Sequence, residues 1–173
     1  LAVRLLDQQE SDGSWKAGLP DDTAASTPVL ATALALMRLG YLGFGPDYPA
    51  IRRGAEYLFA QQREDGAWSL PDAREETAGK EGYSMIPLQT ALPLRGLAAC
   101  GLAEDPRAGR AYAWLLAQRL EDGAWPTGTA SGTLGRVAGY RKLPHSRWGC
   151  RSNTTAALSC LALHPIRRSG PEA

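Results

Sequence analysis

The sequence predicts an all-α fold built as an array of three helical hairpins, and three observations lead to it. Val and Ile together number six in 173 residues, against 28 Ala and 24 Leu. β-branched side chains pack the pleated faces of sheets, whereas Ala and Leu are among the best helix formers. A motif then recurs: LLDQQESDGSW, LFAQQREDGAW and LLAQRLEDGAW. Each copy runs from Gln five residues to Gly and two more to Trp, as Gln8–Gly13–Trp15, Gln61–Gly66–Trp68 and Gln118–Gly123–Trp125. Finally, each copy closes a stretch of helical periodicity.

The elements follow in order. Residues 1–13 read as the end of a helix. Ala50 to Gln62 sets Ile51, Ala55, Leu58 and Phe59 at helical intervals, and Ala108 to Gln118 does the same with Ala111, Trp114 and Leu115. The Asp-Gly step is read as the helix stop, because Gly tolerates a left-handed turn. After a polar loop a blander helix follows each time, at Thr27–Leu39, Met85–Cys100 and Asn153–Leu163. Pro46, Pro49 and Pro106 punctuate the links to the next unit. The units span about 1–45, 46–104 and 105–165 of one domain, with a polar tail at 166–173. The Gln amide is expected to satisfy groups at a helix end while the Trp ring buries apolar area, so the nine motif residues staple hairpins together.

Several function classes are excluded. No run of 18 or more apolar residues is present, so no transmembrane segment is expected. The first residues lack the layout of a secretory signal, and Cys100, Cys150 and Cys160 are too few for a disulfide framework. A cytoplasmic setting is the expectation. With no initiating Met, a piece of a longer chain is one reading of the start. There is no phosphate-binding Gly loop, no GxSxG elbow and no HExxH. Glu75–Glu76 reads as a solvated pair. The formal net charge of +1 argues against nucleic acid as partner. That charge is nevertheless split: residues 1–122 balance to −5, whereas residues 123–171 carry no acid and seven Arg or Lys. Such separation marks a binding surface or complementary subunit faces.

The loop Pro126–Arg151 is the first site candidate, being long, glycine-rich and acid-free. It carries Arg141, Lys142, His145, Arg147, Trp148 and Arg151 towards Ser152–Asn153–Thr154–Thr155 at the start of the last helix. Guanidinium forks beside helix-start N–H groups suit a diphosphate or carboxylate. The same loop also reads as solvated or as a subunit contact. His145, Cys150, Cys160 and His164 are zinc-type ligands without a recognised spacing, so neither metal nor cofactor is expected. Asp21–Asp22 precedes a helix, where acids serve as caps.

RRGAEYLFAQQREDGAW, with its basic residue, Gly, Ala, aromatic, aliphatic run, Gln, Gly and Trp, resembles the QW repeat of the squalene-hopene and oxidosqualene cyclases. These belong to the terpenoid cyclase and prenyltransferase α/α-toroid superfamily. ASTPVLATALALM, Ala25–Met37, is similar to an inner helix of bacterial hopene cyclases. The resemblance covers most of residues 1–125 and, more loosely, the third inner helix. It implies an α/α-toroid-like array in which outer helices carry the turns and inner helices line a cavity. It also implies about six hairpins in a closed toroid, where this sequence has three. A homodimer is the expected completion, the basic third unit facing an acidic first unit with Asp7, Glu10, Asp12, Asp21 and Asp22.

Class II members of the resembling family carry a DxDD run whose protonated central Asp starts the reaction. Leu19–Pro20–Asp21–Asp22–Thr23–Ala24 matches at DDTA but has Leu19 in the first Asp position. The resemblance implies a terpene-cyclase-like enzyme acting on an isoprenoid or similarly apolar substrate by acid-initiated cyclisation or isomerisation, with Asp21 or Asp22 as acid. Tyr83, Tyr140 and Trp148, in loops leading to inner helices, would supply aromatic faces for carbocations. The alternative is a non-catalytic toroid module holding an apolar or anionic ligand or a protein partner.

Overall fold

The computed structural model describes residues 2–16, 27–68, 87–126 and 149–171. Among them are six α-helices: α1 Ala2–Asp7, α2 Pro28–Tyr41, α3 Pro49–Ala60, α4 Pro87–Ala99, α5 Pro106–Ala117 and α6 Arg151–Leu163, followed by a 3-10 turn at Arg167–Ser169. Four of the six begin on Pro, whose fixed φ suits the first helical position and whose missing N–H would have no partner there. Thr27 Oγ1 accepts from Leu30 N to cap α2, and Asp105 Oδ1 accepts from Arg107 N to cap α5. The Trp turns link α1 to α2, α3 to α4 and α5 to α6 as three hairpin units, while α3 packs on α2 and α5 on α4. The inner helices α2, α4 and α6 lie side by side, and α1, α3 and α5 form the outer layer. The sequence prediction of three hairpins with these helix positions holds, with boundaries within a few residues.

Small residues let the inner helices approach closely. A Cβ on Gly96 would meet the Ala33 carbonyl oxygen at 2.6 Å, so α4 lies directly against the α2 backbone. Cys100 donates its thiol to Leu36 O, and Cys160 donates to Ala91 O, each bridging to the preceding inner helix. Buried Leu36, Leu39, Leu94, Leu97 and Leu161 fill the layer between inner and outer helices.

Each tryptophan joins the two helices of its hairpin through two hydrogen bonds. The indole N–H of Trp15, Trp68 and Trp125 donates to Leu5 O, Leu58 O and Leu115 O, at 2.7 Å in every case. The backbone N–H of the same residues donates to Thr32, Thr90 and Thr154 Oγ1 at 3.0, 3.2 and 3.0 Å. All three rings are fully buried. The outer helix end and the inner helix start are thereby fixed to one side chain.

Two details of the motif differ from the sequence prediction. The Gly is not the helix stop: α1, α3 and α5 end at Asp7, Ala60 and Ala117, and the Gly closes a later turn. Gly13, Gly66 and Gly123 donate to Glu10, Arg63 and Leu120 O, with φ of 90°, 92° and 85°. The preceding Asp12, Asp65 and Asp122 each accept from the backbone N–H two residues on, locking the turn. Hydrogen bonds from Ser14 hold the Asp12 carboxyl below its ordinary value.

The second difference is which glutamine acts. Gln8 and Gln61 are exposed. Their neighbours are the staples, because only the following position points back across the turn. Gln9 Nε2 donates to Gly13 O at 2.9 Å and to Ala50 O at 2.8 Å, and Gln62 Nε2 donates to Gly66 O at 2.9 Å and to Arg107 O at 3.0 Å. Each amide therefore ties its own turn to the first turn of the next outer helix. Arg53 and Arg110 donate back to the amide oxygens. In the third unit the place is taken by Arg119, whose Nε donates to Gly123 O at 3.2 Å while its guanidinium lies 5.4 Å from the Trp125 ring centre. Leu158, four residues after its Trp-bonded Thr like the fully buried Leu36 and Leu94, is 39% exposed.

This arrangement gives a direct comparison. Gln62→Ala strips hydrogen bonds from two half-buried carbonyls and is expected to cost about 1–3 kcal/mol, whereas Gln61→Ala stays within about 0.5 kcal/mol. Urea titration of both variants, followed by far-UV circular dichroism, measures the difference. Equal losses would refute the assignment.

Arg107 adds a tie between outer helices. It pairs with Glu56 of α3 at 2.8 Å and with Asp105 at 2.9 Å, and its guanidinium lies 3.9 Å from the Phe59 ring centre. Its hydrogen bonds hold both carboxyls below their ordinary values.

Candidate functional site

The Trp–Thr bonds decide which way each inner helix faces. Thr32 and Thr90 point to the outer layer. Positions two residues to either side are about 200° away around the helix, so they face inwards. On α4 that stripe is Leu88, Leu92, Arg95 and Ala99, all half-buried, while the eight other residues from Gln89 to Ala98 are buried. On α2 the same registers hold Leu30, Leu34 and Met37, half-buried, and Tyr41, which is exposed. On α6 they hold Ser152, Ala156, Ser159 and Leu163. The inner face is thus aliphatic across α2 and α4 and more polar on α6.

Arg95 is the charged residue in these registers. Arg95 donates from Nε and Nη2 to Tyr41 Oη at 3.0 and 2.8 Å, and its guanidinium lies 5.8 Å from the Tyr41 ring centre. Among the described residues no carboxylate pairs with it. At the opposite end of the inner helices, Asn153 Nδ2 donates to Pro126 O at 2.6 Å and its Oδ1 accepts from Leu88 N at 3.2 Å. Asn153 is buried and fixes the starts of α4 and α6 side by side.

Of the site residues expected from sequence, Arg151 is described: it is the exposed first residue of α6. Asp21, Asp22, Tyr83, Tyr140, Arg141, His145, Arg147 and Trp148 lie outside the described residues, as do Leu19 and Lys142. They belong to the three segments that run from a Trp turn to an inner helix.

Cys160 and His164 are committed to structure. Burial pushes the Cys160 thiol up to about 12, the opposite of what a thiolate ligand needs. His164 Nδ1 accepts from the N–H groups of Ile166 and Arg167, each at 3.2 Å, and its ring stands edge-on to Tyr112 at 4.7 Å. Tyr112 Oη in turn donates to Cys160 O at 3.0 Å. Among the described residues no three His, Cys, Asp or Glu side chains form a metal-binding group.

Burial, then the charge of Arg167, lowers the His164 pKa, so the native state favours neutral imidazole. The unfolded chain therefore takes up the proton first. Stability from this group is complete above about pH 6.5 and is lost as pH falls through the lower, folded value. His164→Asn, which keeps an acceptor, is expected to flatten the fall in melting temperature between about pH 7.5 and about pH 5.5. Melting temperatures of both proteins across this range measure the effect, and an unchanged slope in His164→Asn would refute the assignment.

Residues 2–138 match the family described as squalene-hopene cyclase C-terminal domain. The chain belongs to this family. It is 30% identical over 132 residues to the squalene–hopene cyclase of Zymomonas mobilis, a match covering 74% of this chain and 19% of that protein. The probable squalene–hopene cyclase of Sinorhizobium fredii is 32% identical over 122 residues, covering 68% and 18%. That of Bradyrhizobium diazoefficiens is 32% identical over 124 residues, covering 70% and 18%. The matched segment spans about a fifth of the length of these relatives. The family match ends before α6, yet the third Trp makes the same bonds as the first two. No helix among the described residues is long and apolar enough to cross a membrane.

Sequence reasoning missed the Trp-bonding role of Thr32, Thr90 and Thr154, the second glutamines, and Arg95. A signal for the first was present, since Thr-Ala-Leu recurs at 32–34 and 90–92. Arg95 has no counterpart in the other units, where Met37 and Ser159 stand in its register, so no repeat could reveal it.

Proposed function

We propose that this chain supplies part of the wall of an apolar binding cavity in a terpene-cyclase-type enzyme acting on an isoprenoid or similarly apolar substrate. The observation that carries this reading is the half-buried aliphatic stripe of Leu30, Leu34, Met37, Leu88 and Leu92 facing away from the Trp staples. Family membership supports it, the relatives being squalene–hopene cyclases. In the reaction, Asp21 or Asp22 gives its proton to a terminal alkene, and a second alkene of the same molecule attacks the resulting cation. Water takes a proton from the cyclised cation and returns one to the aspartate, so the product is an isomer of the substrate and the acid is restored. A carboxylic acid can start such a step when apolar surroundings and a neighbouring carboxylate keep it protonated.

A second reading, a non-catalytic module, is favoured by a specific observation. Among the described residues Tyr41 is the one aromatic on the inner stripe, and cations need π faces. Leu19 in the first Asp position favours the same reading.

Incubation with squalene and with shorter prenyl substrates, followed by mass spectrometry for products of unchanged formula, tests the proposal. Asp21→Asn or Asp22→Asn is expected to lower turnover roughly a hundredfold or more with an unchanged melting temperature. A lowered melting temperature, together with no product from the unmodified protein, would support the helix cap and the module instead. The closure of three hairpins by a second copy remains a proposal resting on the charge split, and sedimentation of the chain at several concentrations decides it.

A further inference from the structure

Arg95 is a cation set into an aliphatic wall. Its register on α2 is Met37 and on α6 Ser159, so the packing of an inner helix does not require a charge there. Its neighbour on the wall is the exposed phenol of Tyr41, whose oxygen accepts from two of its nitrogens and leaves the remaining guanidinium N–H groups without a carboxylate among the described residues. Covering this charge with an uncharged hydrocarbon would desolvate it without compensation, which is costly. An anionic oxygen pair answers the guanidinium fork directly.

The surrounding surface sets the rest of the ligand. From Arg95 to Leu88 the stripe runs seven residues, about 10 Å along the helix axis. Over that length Leu92 and Leu88 line α4, and Leu34 and Leu30 line the same levels of α2. A tail laid along these leucines brings a head group to Arg95 at one end.

We propose that the inner face binds an anionic amphiphile, its carboxylate or phosphate head on Arg95 and its alkyl or prenyl tail along Leu30, Leu34, Leu88 and Leu92. This rests on the reading of the inner face as an apolar binding wall and narrows its ligand class. Arg95 is the specificity-determining residue, separating charged from neutral ligands of equal tail. Tyr41 positions the guanidinium by holding Nε and Nη2 on its hydroxyl.

Isothermal titration of the full chain with decyl phosphate, decanoate and decanol, each below its micelle concentration, tests this. The two anions are expected to bind roughly tenfold to a hundredfold more tightly than decanol, the range for hydrogen bonds to a charged group. Phosphate against carboxylate shows which head the site prefers. Arg95→Met, which restores the residue type found at Met37, is expected to remove the preference while leaving decanol binding and the melting temperature unchanged. Arg52→Met, an exposed position on the outer helix α3, is expected to leave the preference intact. Anion preference retained in Arg95→Met, or lost in Arg52→Met alone, would overturn the assignment to Arg95. Decanol binding as tightly as the anions sinks the anionic ligand but keeps the apolar wall. No binding by any of the three overturns both.

Discussion

Trp68→Ala is expected to lose about 3–5 kcal/mol of folding stability, the range for removing a large buried aromatic side chain. The ring is 1% exposed, and its indole N–H holds Leu58 O at the end of α3. A domain of this size is stable by only about 5–15 kcal/mol, so this one substitution consumes a large fraction of the whole. Two gentler variants separate the contributions. Trp68→Phe keeps most of the apolar volume but leaves the Leu58 carbonyl without its donor, at a cost of about 1–3 kcal/mol. Thr90→Val is close to the same shape and strips the acceptor from the Trp68 backbone N–H, with a cost in the same range of about 1–3 kcal/mol. Chemical denaturation read by far-UV circular dichroism measures all three. A loss below about 1 kcal/mol for Trp68→Ala would mean that the hairpin is held by helix packing and that the Trp is incidental.

The hairpin array was legible in the sequence because its cause is local and repeated. The Trp turn is built within ten residues, from Leu58 to Trp68, and it recurs three times, so spacing alone exposes it. The helices are likewise declared by Pro28, Pro49, Pro87 and Pro106 at their starts and by the Ala and Leu runs that follow. What spacing does not reveal is the direction in which a side chain points. Gln61 and Gln62 are adjacent and identical in type, yet the amide of Gln62 reaches Arg107 O while Gln61 is exposed. The partner lies 45 residues away on the next outer helix, and a pattern within one unit carries no information about it.

The inner face was legible in part for the same reason. That α2, α4 and α6 are blander than the outer helices was clear from their sequences. Which stripe remains open depends on Thr32 and Thr90 meeting Trp15 and Trp68 across loops of different length, a long-range fact. The expected acid pair and basic loop were chosen for their chemistry and lie in the segments between turn and inner helix. Arg95, by contrast, sits mid-helix among apolar residues, where a lone cation reads as an ordinary surface charge until the helix is turned to face inwards.

Gly66→Ala against Gly123→Ala distinguishes a turn that joins units from one that ends them. Both glycines have a left-handed φ, 92° and 85°, which costs Ala about 1–2 kcal/mol in either place. At Gly66 a new Cβ would also meet the backbone carbonyl of Arg110 at 2.6 Å, so α5 must move away from the turn. Such overpacking adds about 1–3 kcal/mol. At Gly123 the nearest atom is Arg119 Nη2 at 3.2 Å, the far end of a flexible side chain that can swing aside. Gly66→Ala is therefore expected to destabilise by about 2–5 kcal/mol and Gly123→Ala by about 1–2 kcal/mol. Asn substitutions isolate the cause, since Asn tolerates left-handed backbone better than Ala but still carries a Cβ. Gly123→Asn should recover much of the loss and Gly66→Asn little of it, in melting temperatures measured side by side. Equal recovery at both sites would show that φ alone selects the glycines. Unequal recovery means that the second turn owes its glycine to the outer helix packed on it, and the third to its backbone angle.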